Sequence, residues 1–178
     1  MSRIALIPQD QLSSDAATLF TQVKKAVGKV PNAYATIGGY SPKSLSTLLT
    51  ADAALSQGAL SRSEIEAIRL AVSEINGCDY CVAAHTVVGR MVGLPAPALK
   101  QIRAGEATGQ DKLDALIRFV RTVQTTRGTV PAEVLASVLA AGYTEQQVVE
   151  ALLTVSMITF TNLVNRVNDT DLDFPKAD

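Results

Sequence analysis

The chain has 178 residues, enough to bury one sizeable core and too few to require two, so a single domain over residues 1–178 is expected. Its 16 basic and 17 acidic residues leave a net charge of −1, and no like-charge run exceeds Lys24-Lys25, which excludes an electrostatic footprint for nucleic acid or an anionic membrane. The opening MSRIALIPQDQ is too short in its apolar run for a secretory signal, and two cysteines without an export signal point to a reducing, cytoplasmic setting.

Alanine is frequent, tryptophan is absent and strand-like alternation is rare, so helix is expected nearly throughout. Ser13 or Ser14 caps a first helix over 15–27, with Ala16, Leu19, Phe20, Val23 and Val27 at helical spacing. GKVPNAYATIGGYSP reads as a short helix between turns. A helix starting at Pro42 or Lys43 carries Leu45, Leu48, Leu49 and Leu55 on one face, interrupted by Asp52, and ends near Gly58. Ser61 and Glu64 form a capping box for the next helix, which ends near Ile75. Asn76-Gly77 breaks it, Cys78 opens another, and that one stops around Gly93-Leu94-Pro95.

Two further helices are expected over 96–103 and 112–125, the second turning Leu113, Leu116, Ile117, Val120 and Val123 inward. Pro131 stands at the first position of another, which ends at Gly142. Thr144 and Gln147 form a second capping box, for a helix over 145–167. Its charge-free core, Ala151 to Asn165, falls short of a membrane span and contains Thr and Asn. Apolar side chains nonetheless surround it, so it is expected either at the centre of the core or at a subunit interface. The tail NDTDLDFPKAD reads as polar surface.

Both cysteines and the only histidine fall within NGCDYCVAAH, residues 76–85. At about 100° per residue, a helix from Cys78 brings Cys78, Cys81 and His85 into a sector of about 60°. The thiols then lie one turn apart near a helix start, where backbone N–H groups favour a thiolate, and His85 lies one turn beyond Cys81. Three readings fit that pattern. A redox dithiol uses all three groups, with the thiolate attacking a peroxide oxygen and the neighbouring thiol closing a disulfide. A zinc site lacks a fourth ligand, and ordinary buried cysteines need no function at all.

The longer stretch SRSEIEAIRLAVSEINGCDYCVAAH resembles the core of the carboxymuconolactone decarboxylase and alkylhydroperoxidase D superfamily, whose peroxidase branch carries a glutamate twelve residues before CxxCxxxH. Glu66 stands twelve before Cys78, and VPNAYATIGGYSPKSL, GLPAPALKQIRAGE and TNLVNRVNDTDLDFP extend the resemblance to roughly three quarters of the chain. The resemblance implies an alkylhydroperoxidase D-like all-α helical bundle with its core motif at 61–94. It implies a thiol-dependent peroxidase acting on hydrogen peroxide or organic hydroperoxides, in which Cys81 attacks, Cys78 resolves, and His85 relays a proton between Cys81 and Glu66. It implies no bound cofactor or metal, an external dithiol reductant of the dihydrolipoamide type, and a homo-oligomer, trimer or hexamer.

Local physics pulls differently on one point, because the helix start favours Cys78 as the thiolate. For Glu66 the plain alternative is a solvated salt bridge to Arg62 or Arg69. Asp79 and Tyr80 replace the histidine that the best-known relatives carry between the cysteines, and Tyr80 reads as core filling. Two other functions stay open: a redox-switched binding protein without turnover, and proton transfer on a lactone by Glu66 and His85, which the decarboxylases perform without the cysteine pair.

Overall fold

Side-chain caps set the ends of most helices. Ser13, Ser41, Ser61, Cys78 and Thr144 each accept a hydrogen bond from a backbone N–H in the first turn of the helix that follows, and Ser61–Glu64 and Thr144–Gln147 form complete capping boxes. In the computed structural model, which describes residues 2–177, these signals yield nine α-helices, a 3-10 turn at Gln9–Gln11, and no strand among the described residues. The helices are α1 Ser14–Val27, α2 Asn32–Tyr40, α3 Pro42–Ser56, α4 Arg62–Ile75, α5 Asp79–Met91, α6 Ala96–Ala104, α7 Asp111–Thr126, α8 Ala132–Ala140 and α9 Glu145–Asn168.

The all-α expectation holds, with shifts at two helix starts. Pro131 caps α8 from outside the helix rather than occupying its first position. Cys78 likewise precedes α5 as its N-cap and takes an extended backbone conformation.

The centre of the bundle is α4, which packs against α5, α6, α7 and α9. Ala67 and Ala71 let neighbours approach closely, while Ile65, Ile68, Leu70 and Val72 fill the space between them. The long apolar helix α9 is therefore not the central one. Its buried stripe is Ala151, Thr154, Val155, Ile158, Thr161, Asn162, Asn165 and Asn168, whereas Val149, Leu163 and Val167 are 65%, 60% and 63% exposed. By length and composition alone its 24 residues suffice to cross a bilayer, more than the charge-free stretch suggested. Its inner face instead bonds to the bundle.

The tail also departs from a simple polar surface. Asn168 and Thr170 are buried, Asn168 Oδ1 accepts the Ile4 N–H at 2.6 Å, and Phe174 meets Tyr80 edge to face. Asp173 accepts hydrogen bonds from Tyr80 Oη at 2.6 Å and the Asn32 N–H at 3.3 Å, and pairs with Lys29 Nζ at 3.0 Å. Polar residues became buried here because each finds a partner.

The turn between α4 and α5 positions both cysteines. Gly77 adopts φ +62°, its N–H bonds the Glu74 carbonyl, and the Cys78 N–H bonds the Ser73 carbonyl, which together make a Schellman ending. Cys78 thus closes one helix and caps the next. Gly77→Ala should cost about 1 kcal/mol by forcing a Cβ into the left-handed region, read as a lower urea midpoint at unchanged slope.

Candidate thiol active site

A Ser, Asn or Asp side chain usually caps a helix; here a sulfur does so, and the Cys81 N–H points at Cys78 Sγ at 3.4 Å. Cys81 is the third residue of α5 and lies directly above it. The two thiols are free, buried, and 2.7 Å apart, with the Cys78 S–H donating to Cys81 Sγ. Departure of Cys78 from helical geometry therefore preserves the side-by-side placement expected from spacing.

One turn further along α5, His85 Nδ1 lies 2.7 Å from Glu66 Oε2. An ionised carboxylate can only accept, so Nδ1 carries the proton and Nε2 is the nitrogen left for other chemistry. Glu66 is 4% exposed and its second oxygen accepts from Arg69 Nη1 at 2.8 Å. The surface salt bridge considered for Glu66 exists with Arg69, but inside the protein and shared with His85. Arg69 Nη2 continues to Asp52 Oδ1 at 2.5 Å, giving a chain Asp52–Arg69–Glu66–His85 across α3, α4 and α5. Burial pushes the Asp52 carboxyl up despite Arg69. For Glu66 burial also pushes upward, yet His85 and Arg69 outweigh it and hold the carboxyl below its ordinary value.

The two sulfurs are driven apart. Donating its proton to Cys81, and then burial, raise the Cys78 thiol well above the ordinary range. Cys81 comes down to about 6: the Cys78 hydrogen bond lowers it most, burial opposes, and His85 with the amides of Asn165 and Asn162 add to the lowering. Asn165 Nδ2 donates to Cys81 Sγ at 3.2 Å. Behind it, Gln124 Nε2 donates to Asn76 Oδ1 at 2.7 Å, Asn76 Nδ2 to Asn162 Oδ1 at 2.8 Å, and Asn162 Nδ2 to Ser73 Oγ at 3.1 Å. This ladder ties α7 and α9 to the turn that carries Cys78.

Cys81 and His85 line one cavity of about 330 Å³, and Cys78 does not. Tyr34, Asp52, Glu66, Arg69 and Asn165 supply polar groups to its wall; Leu48, Val88, Met157, Ile158 and Phe174 supply the apolar part. Tyr80 fills core and anchors the tail through Asp173, and its hydroxyl accepts the Ala33 N–H at 3.2 Å, in line with the packing role expected of it. No cluster of three or more His, Cys, Asp or Glu able to hold a metal occurs among the described residues.

The four residues singled out from sequence are thus brought together, and Asp52, Arg69, Tyr34 and Asn165 join them. Asp52 had shown only as a polar break in a leucine face. Asn162, Asn165 and Asn168 recur every three residues on an apolar helix, a pattern that marks a buried polar stripe.

The fold is all-α and alkylhydroperoxidase D-like, and it carries a cysteine pair at a helix start. The structure is similar to the alkylhydroperoxidase AhpD core protein, an uncharacterized peroxidase-related protein, of Ralstonia eutropha JMP134, with TM-score 0.86 and 21% identity over 97% of this chain and 92% of that one. An uncharacterized peroxidase-related protein from Silicibacter sp. TM1040 gives TM-score 0.82 and 19% identity over 96% and 91%. The debrominase Bmp8, also solved in complex with 2,3,4-tribromopyrrole, gives 0.79 and 14% identity over 96% and 92%. Residues 42–110 match the Carboxymuconolactone decarboxylase family, and this match encloses the 61–94 core motif. The chain thus resembles that family over residues 42–110 and shares the fold of these solved structures along most of its length. No curated protein matches it.

Two measurements probe the electrostatics. The rate of Cys81 alkylation by iodoacetamide should rise through a midpoint near pH 6 and plateau above it, and Cys78→Ala should move that midpoint upward by removing the largest lowering influence. Glu66→Gln should cost about 1–3 kcal/mol in urea unfolding by taking the charged acceptor away from Arg69 and the His85 Nδ1–H, Arg69 keeping Asp52. Glu66 is depressed in the folded state, so its stabilisation is present at neutral pH and lost as pH falls through the folded value. The gap between Glu66→Gln and the unmodified protein should therefore close in acid.

Proposed function

We propose that this protein is a thiol-dependent peroxidase that reduces hydrogen peroxide or organic hydroperoxides through Cys81 and Cys78. One observation carries the reading: the sulfur with the lowered pKa is the one that lines the cavity, and the sulfur with the raised pKa touches it from behind.

In this reading the Cys81 thiolate attacks the terminal oxygen of R–O–OH. The O–O bond breaks, sulfur loses two electrons to become a sulfenic acid, and the departing R–O⁻ takes a proton through His85, which Glu66 orients. Cys78 then attacks the sulfenic sulfur, its thiol proton leaves with the hydroxyl as water, and a disulfide forms. An external dithiol, for which a dihydrolipoamide-type group is the candidate, returns both sulfurs to thiols. No bound cofactor takes part, and a reducing compartment such as the cytoplasm suits the cycle. The apolar residues that α9 turns outward, Val149, Leu152, Leu153, Leu163 and Val167, support assembly of like chains, a trimer or hexamer.

The apolar wall of the cavity favours one second reading, reductive dehalogenation of a halogenated ring. The same thiolate would take the halogen, the ring carbon would gain a proton, and Cys78 would displace halide to give the same disulfide.

Peroxide consumption with excess dithiol, followed by intact mass after one addition, tests the proposal. The unmodified protein should turn over, Cys81→Ser should be inactive, and Cys78→Ser should gain one oxygen without turnover. Glu66→Gln should lower the rate by about 10²–10⁴. Oxidation that stops at one equivalent despite dithiol would identify a redox switch, release of halide from a bromopyrrole without peroxide turnover would select the second reading, and zinc lost with either cysteine would identify a metal site.

A further inference from the structure

Three asparagines on the inner face of α9 are buried, and two of them are satisfied at both ends of the amide. Asn162 accepts from Asn76 and donates to Ser73, and Asn168 accepts from the Ile4 N–H and donates to Thr170 Oγ1 at 3.0 Å. Asn165, 3% exposed, differs. Its Nδ2 donates to Cys81 Sγ, while its Oδ1 is enclosed and has no hydrogen-bond donor among the described residues. A buried acceptor left in this state costs about 1–3 kcal/mol, and folded proteins retain few of them. The amide cannot cure the deficit by rotating half a turn. Cys81 sulfur already receives the Cys78 S–H and is the sulfur favoured as thiolate, so it calls for a donor and the N–H₂ must face it. Of the three asparagines, only Asn165 lines the cavity.

We infer that Asn165 contacts the substrate directly: its Oδ1 accepts a hydrogen bond from the terminal O–H of a hydroperoxide while its Nδ2 holds the sulfur that attacks that oxygen. The inference rests on the peroxidase reading and adds to it a residue that selects the peroxide by its O–H group. The two ends of one amide sit side by side, so nucleophile and target oxygen are brought into contact by a single rigid group. The hydrogen accepted by Asn165 is the one that stays on the transferred oxygen, which leaves as Cys81–S–OH; the R–O⁻ fragment takes its proton separately, through His85. An R group then lies along Leu48, Val88, Met157, Ile158 and Phe174. A site built to satisfy a substrate hydroxyl discriminates against electrophiles that lack one, because its own acceptor is then left bare.

The test compares two electrophiles on the prereduced protein at a pH high enough to ionise Cys81 fully in every variant. Cumene hydroperoxide carries the O–H donor at its reacting oxygen, and iodoacetamide reacts at carbon. In Asn165→Leu, which keeps the volume and removes both polar ends, the ratio of the cumene hydroperoxide rate to the iodoacetamide rate should fall about tenfold or more. In Asn165→Asp, which keeps an acceptor, the ratio should stay within about twofold of the unmodified protein even though the added charge slows both reactions. Equal loss of both rates in Asn165→Leu, or loss of the ratio in Asn165→Asp as well, would overturn the inference and leave Asn165 acting on the sulfur alone. Asn165→Ala carries the same comparison if the leucine variant fails to fold. Alkylation of the unmodified protein without any reaction with hydroperoxide would sink the peroxidase reading itself, a result distinct from either of those.

Discussion

A carboxylate taken out of water inside a helical bundle is the constraint on which the site depends. Glu66 sits on the most enclosed helix, α4, where an unpaired charge would cost several kcal/mol. Arg69 and His85 offset that cost, one on each oxygen, and each in turn is held by the carboxylate. Because Arg69 is shared with Asp52 of α3 and His85 belongs to α5, a single buried charge fixes the relation of three helices. It also selects which imidazole nitrogen bears the proton. The orientation of His85 is thus a consequence of packing rather than of local sequence, and it holds only while Glu66 stays ionised.

The cysteine pair shows how a helix start can be overruled by contacts a few ångströms away. Partial charge at the beginning of α5 favours a thiolate on either sulfur, and the backbone N–H of Cys81 is aimed at Cys78. That bond is long, and Cys78 gives its own proton away to the neighbouring sulfur. Cys81 collects a thiol donor, an amide donor from Asn165 and the field of His85. Since charge on one sulfur disfavours charge on the other, these contributions separate the pair instead of lowering both. Asymmetry between chemically identical groups arises from which one faces the donors.

Local signals made much of the fold legible. Capping boxes at Ser61–Glu64 and Thr144–Gln147, the Asn76-Gly77 break and the leucine spacings are short-range features, and the helices begin and end close to where those features put them. The motif residues Glu66, Cys78, Cys81 and His85 were legible by spacing and by resemblance. Arg69, Asp52 and Asn165 were not assigned to the site, because their meaning comes from residues far along the chain: Asp52 is 17 positions from Arg69, and Asn165 is 84 from Cys81. The same cause explains the tail. Asp173 and Phe174 look solvent-bound in isolation; Tyr80, 93 positions away from Asp173, gives one a hydrogen bond and the other a ring contact, and Phe174 thereby joins the cavity wall.

Helix α9 answers to two demands at once. Its inner face mixes core residues such as Val155 and Ile158 with buried asparagines that reach the Cys78 turn and the Cys81 sulfur, while its outer face exposes Val149, Leu163 and Val167 where surface helices are usually polar. Buried amides hold a helix in register by direction and length of their bonds, which apolar contacts do not. A small rotation of α9 would detach Asn165 from Cys81 and Asn162 from Ser73 together. The ionisation of the cavity sulfur is therefore coupled mechanically to the seating of the longest helix.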